Sequence, residues 1–148
     1  MGEKTRWESY DVRGRVRQPV NAVFLYALFA MASNSMAHVK IGISAKVYER
    51  MLALRTGIPI PIGVVLFAEV GDRGLAHHLE RRLHMAFASR RGAGEWFEFD
   101  VSDAGEKALF HGVTRTIYES TVGRTLVWRN ITPEQLSVFA SLRSKDKR

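Results

Sequence analysis

Cysteine is absent from the 148 residues. Disulfides, thiolate metal sites and cysteine nucleophiles are therefore excluded. No apolar stretch is long enough to span a bilayer, which takes about 20 residues. The longest, Ala22 to Ala32 (AVFLYALFAMA), is followed by Ser35-Met36-Ala37 and preceded by Arg13, Arg15 and Arg17, the layout of a secretion signal. The segment before it is long and carries Glu3, Glu8 and Asp11, unlike a short cationic leader, so we expect a buried strand and a cytoplasmic protein. The sequence also lacks a G-x-x-x-x-G-K-[ST] loop, a G-x-G-x-x-G turn and a G-x-S-x-G elbow, and shows no helix-turn-helix or zinc finger. Phosphate-loop ATPases, dinucleotide enzymes and serine hydrolases of the elbow type are thereby disfavoured.

Lys and Arg number 22 against 15 Asp and Glu, for a formal net charge of +7 and a pI near 10.1. Such an excess favours a polyanionic partner, nucleic acid before an anionic membrane. The length is that of one domain, and 46% hydrophobic and 25% charged residues are ordinary for a globular one.

Residues 1–20 read as a polar, basic arm. Residues 23–30 and His38 to Ile43 read as two strands of an antiparallel hairpin. A helix follows, with Ser44 as its cap and Val47, Arg50, Met51 and Leu54 on one face; Pro59 and Pro61 follow it in an extended turn. Ile62 to Val70 is a near-continuous apolar strand, expected inside the sheet. Asp72 caps a second helix running to about Ala88, with an apolar stripe of Leu75, Leu79, Leu83 and Ala86. Glu95 to Asp100 alternates like an edge strand, with Trp96 and Phe97 read as core aromatics. A third helix is expected from Ser102 to about Thr121, and a last one opening at Thr132-Pro133; Arg143 to Arg148 reads as a charged tail. The order β-β-α-β-α predicts an α+β fold, a small antiparallel sheet flanked by helices, spanning 21–100 with a helical extension over 101–148.

Two residues break the apolar pattern. Arg50 lies on the stripe of the first helix, where a guanidinium is costly unless it snorkels, pairs with an acid or meets an anion. Glu80 lies at the buried border of the second helix, with His77 and His84 on the same edge. A half-shielded carboxylate there suits a single hard cation, or His77, Glu80 and His84 together a transition metal, or Glu80 simply pairs with His84. Arg55, Arg81, Arg82, Arg90 and Arg91 either line a phosphate track or are solvated charge.

Together these segments resemble the GIY-YIG nuclease superfamily. Leu25-Tyr26 stands at the end of the first triplet in FLYAL, and Lys40-Ile41-Gly42 stands in place of the second in VKIGIS. Arg50 in VYERMLALR, Glu80 in LERRLHMAF and the closing GEWFEF complete an ordered set over residues 22–100. The Lys-Ile-Gly form, with E-x-x-x-H-x-x-F and Gly-Glu-Trp-Phe, is similar to the phage-type, DNA-binding branch. The resemblance implies a metal-dependent endonuclease acting on DNA. Arg50 would contact the scissile phosphate, Glu80 would hold one Mg²⁺ (or Mn²⁺), and Tyr26 would orient or deprotonate water. Lys40 stands at the second tyrosine and His84 is a secondary candidate. Three departures are visible: Phe24 replaces the first glycine, Lys40 replaces a tyrosine, and no His or Tyr follows Arg50 in its helix. They leave open a module of the same fold that binds DNA without cutting it.

Overall fold

A computed structural model describes residues 22–92 and 94–146. The basic arm expected over 1–20 lies outside them. The elements follow in the order β1 (Phe24–Met31), β2 (Met36–Ser44), α1 (Val47–Gly57), β3 (Ile62–Glu69), α2 (Arg73–Ala86), a 3-10 turn (Ala88–Arg90), β4 (Trp96–Asp100), α3 (Ala104–Val122), β5 (Arg129–Ile131) and α4 (Pro133–Asp146). The five strands form one antiparallel sheet in the order β4-β2-β1-β3-β5. The α+β class and the hairpin are as expected. The short strand β5 was not, because Arg129-Asn130-Ile131 is too brief to show a period of two.

Strand alternation gives β1 two faces. Phe24, Tyr26 and Leu28 point to one side, where α1 supplies Val47, Tyr48 and Met51 and α4 supplies Leu136 and Phe139. Leu25 and Ala27 point to the other, beneath Ala76, Leu79 and Leu83 of α2 and Phe110 and Tyr118 of α3. Both faces of β1 are thus buried, which accounts for its unbroken apolar sequence. Among the described residues no helix is long and apolar enough to cross a membrane.

Several local expectations are corrected. The N-cap of α1 is Lys46, and Ser44 instead holds the preceding turn, its Oγ accepting from the Lys46 amide at 3.0 Å. The buried stripe of α2 is rotated from the one expected: Ala76, Leu79 and Leu83 are buried with Phe87 just beyond, while Leu75 is half-buried and Ala86 exposed. Asp72 does cap α2, its carboxylate accepting from the Leu75 amide at 2.8 Å. Thr132 and Gln135 form a reciprocal capping pair at the start of α4, which runs through most of the segment read as a tail.

The start of α3 is tied to the end of α2. Arg90 donates to Glu106 at 2.5–2.7 Å, and the same carboxylate accepts from the Asp100 amide. The hydrogen bond from Arg90, then that from Asp100, hold the Glu106 carboxyl below the ordinary glutamate range. A depressed folded-state pKa gives stability that is present above the unfolded pKa and lost as pH falls through the folded one. Glu106→Gln should therefore melt below wild type at pH 7, and the gap should close as melts are taken down through the glutamate range. A gap independent of pH would contradict this reading.

Candidate active site

The site is built where β4 stops short. β4 pairs with β2 only as far as Lys40↔Trp96, so the Ile41–Ser44 end of β2 pairs with β1 alone and is open on its other side. Helix α2 crosses this open edge. There His84 Nε2–H donates to the Ile41 carbonyl at 2.7 Å, while the ring packs edge-on against Phe97. His84 is thus a strut that seats α2 on the sheet, and Glu80 lies one turn earlier on the same helix.

Tyr26 reaches the same edge from the centre of the sheet. It pairs with Gly42 across the hairpin, and its phenol occupies the space beside that glycine. A Cβ built at Gly42 would stand 2.5 Å from Tyr26 Oη and 2.7 Å from Cζ. No other residue type leaves room for the phenol there. Tyr26 is almost wholly buried, and burial raises its pKa above the usual tyrosine value. Arg50 opposes that rise through a hydrogen bond and its charge, whereas the charges of Glu80 and Glu95 add to it. Arg50 from α1, Glu80 from α2 and Glu95 from the loop before β4 therefore all act on one hydroxyl.

Arg50 is not core-facing as its place on the stripe suggested. It is exposed, at the border of α1 above Tyr26. Glu80 is 26% exposed, and its ion-pair contact is His77 Nδ1 at 4.0 Å. Lys40 lies on the same sheet face, diagonal to Tyr26. Its side chain is 17% exposed, and its ammonium lies 3.3 Å from Glu95 Oε2 and 5.7 Å from the centroid of the Trp96 ring. Tyr26, Lys40, Arg50 and Glu80 come from four elements: Lys40 neighbours Tyr26 across the hairpin, and Arg50 and Glu80 act on its hydroxyl.

The flanking arginines divide. Arg55, Arg81 and Arg91 are exposed. Arg82 is taken up by Ser120 and Thr121 of α3, and Arg90 by Glu106 with its guanidinium over Phe99, so neither stands free for phosphate in this arrangement. The transition-metal alternative is also corrected. Among the described residues no three His, Asp or Glu side chains gather to hold a metal, and His84 is turned to the Ile41 carbonyl. A single half-buried carboxylate, whose ion-pair contact is only the more exposed His77 at 4.0 Å, fits a hard cation that keeps most of its waters, as Mg²⁺ does.

Two features were missed in the sequence. Gly42 appeared there only as part of a triplet; its pairing with Tyr26 in the hairpin register is the signal that gives it a role. Trp96 was read as core beside Phe97. Alternation sends Phe97 into the α2 side, fully buried, and leaves Trp96 half-buried on the opposite face next to Lys40.

Comparison with known families gives a match over most of the sheet and its first helices. Residues 23–110, more than half of the chain, match the T5orf172 domain, a phage-associated domain related to GIY-YIG and HNH-like nucleases. The matched segment runs from β1 into the first half of α3 and contains all four candidate residues. No curated protein and no solved structure matches the chain significantly.

Proposed function

The chain belongs to the T5orf172 domain family, and from that premise we propose that it is a GIY-YIG-type endonuclease that hydrolyses DNA phosphodiester bonds with one Mg²⁺ or Mn²⁺ ion. What supports this reading is that Arg50 and Glu80, from helices on opposite faces of the sheet, both act on the buried Tyr26 hydroxyl, Arg50 through a hydrogen bond and Glu80 through its charge.

In this reading the exposed Arg50 guanidinium binds the non-bridging oxygens of the scissile phosphate and neutralises the charge that grows on them during attack. Tyr26, kept protonated near neutral pH by burial, orients the attacking water rather than taking its proton. Lys40, held by Glu95, adds positive charge beside the same phosphate. Glu80 would hold the divalent ion, which when bound polarises the phosphate and stabilises the leaving oxygen. Arg55, Arg81 and Arg91 lie outside this centre and would bind backbone phosphates along the strand.

The test is nicking of supercoiled plasmid in Mg²⁺. Arg50→Ala should cut about 10²–10³-fold more slowly than wild type, and Glu80→Ala should fall to background. Cutting that survives both changes refutes the assignment. The Lys40–Glu95 pair at the place of the second tyrosine favours a second reading, a module that binds without cutting. It predicts salt-sensitive DNA retention and no cleavage by wild type in Mg²⁺ or Mn²⁺.

A further inference from the structure

On the α1 side of the sheet, a groove of about 480 Å³ opens next to the site. Leu54, Ile58 and Pro59 line it from the end of α1 and the following turn; Trp96, His38 and Lys40 line it from the sheet. It is an apolar slot with an indole in its wall and a cation at one end. Lys40 belongs both to this groove and to the cluster around Tyr26, so the two are continuous.

That arrangement has a chemical counterpart. A nucleotide carries an anionic phosphate next to a flat base whose two faces are apolar. Bases without a pairing partner bind proteins by stacking on aromatic side chains and lying against apolar ones, with cations along the backbone. A base inside a duplex has both faces covered by its neighbours and must leave the stack to enter such a slot. The net charge of +7 and the exposed Arg50, one turn of α1 before the groove-lining Ala53 and Leu54, suit the phosphate that would accompany the base. The alternation that separates Trp96 from Phe97 also matters, because the sequence spends a large aromatic on this face without burying it completely.

We propose that the Trp96 groove takes one unpaired base of the DNA strand held at the Tyr26–Arg50–Glu80 site, so that the preferred substrate is single-stranded or locally unpaired DNA. The inference rests on the nucleic-acid reading above and deepens it by naming the substrate form.

The experiment is binding without metal, read by fluorescence anisotropy on three labelled oligonucleotides: a single strand, a full duplex and the same duplex with one unpaired base. Wild type should hold the first and third more tightly than the second. Trp96→Ala should weaken those two by about tenfold or more and leave the duplex unchanged, while Trp96→Phe keeps most of the preference. Ile58→Glu, which brings a carboxylate to the opposite wall, should repeat the loss and decides the matter if Trp96→Ala fails to fold. Equal weakening on all three DNAs, or none on any, overturns the proposal. So does a loss of self-association or of peptide binding as the only effect of these variants. The readout needs neither metal nor cleavage. Absence of cleavage by wild type would thus end the nuclease reading without touching this readout, and cleavage without a preference for unpaired bases would end only the groove.

Discussion

Gly42→Ala is expected to lower Mg²⁺-dependent DNA cleavage about a hundredfold, the effect of moving a positioning group by about 1 Å. The added methyl would stand 2.5 Å from Tyr26 Oη and 2.7 Å from Cζ, inside any permitted contact. The ring has little space to yield, because Tyr26 is buried among Phe24, Phe67 and Met51. It must rotate away from the edge where Arg50 and Glu80 act on its hydroxyl. Overpacking of this kind costs about 1–3 kcal/mol of stability, so the comparison should be made well below the melting temperature. A double-mutant cycle isolates the cause. In a Tyr26→Ala background the clash is gone, and Gly42→Ala should add little to the loss that Tyr26→Ala already produces. Full activity of the single Gly42→Ala variant would show that the phenol's position is immaterial.

The largest loss of stability is expected from Phe87→Ala. Phe87 follows α2 directly and sits at the centre of a ring cluster. Its centroid is 5.3 Å from Phe99 and 6.1 Å from Phe97, both edge-on, and 5.9 Å from Phe110, stacked at 11°. It is 2% exposed. Removing a buried phenyl costs about 3–5 kcal/mol, a large share of the about 5–15 kcal/mol that holds a domain together. Urea unfolding followed by circular dichroism should show a midpoint shift of that size with an unchanged slope, and Phe87→Leu a smaller one. A loss below about 1 kcal/mol would mean that the cluster closes over the gap. The two substitutions bear on one site from different directions. Phe87 anchors the end of the helix whose middle carries Glu80, while Gly42 sets the ring that Glu80 faces.

These two positions also show what could be read from the residues and what could not. The strands were legible because β1 and β3 are unbroken apolar runs, and α2 because Asp72 and a clear apolar period mark it. The ordered set Tyr26, Lys40, Arg50 and Glu80 was legible as a motif, since its spacing follows the elements that carry it. What periodicity could not supply was how two opposite faces of a sheet communicate. Arg50 belongs to a helix on one face and Glu80 to a helix on the other, and both act on the Tyr26 hydroxyl beside the end of β2 that β4, starting at Trp96, leaves open. Strand length is set by pairing across the sheet, which lies outside any local window. The same limit explains Trp96, whose face depends on the register of β4 against β2. It also explains Arg82 and Arg90, whose partners Ser120, Thr121 and Glu106 arrive from a helix later in the chain.

The account stands on a divalent ion and a phosphate meeting at the Tyr26 edge of the sheet. Crystals grown with Mn²⁺ and a short DNA strand test this most directly through the anomalous signal of the metal. The prediction is one strong peak within about 2 Å of a Glu80 carboxylate oxygen, the typical bond length for a small divalent ion, with a backbone phosphate between it and the Arg50 guanidinium. A metal bound elsewhere, or DNA lying across the helices with its phosphates away from Arg50, would contradict it.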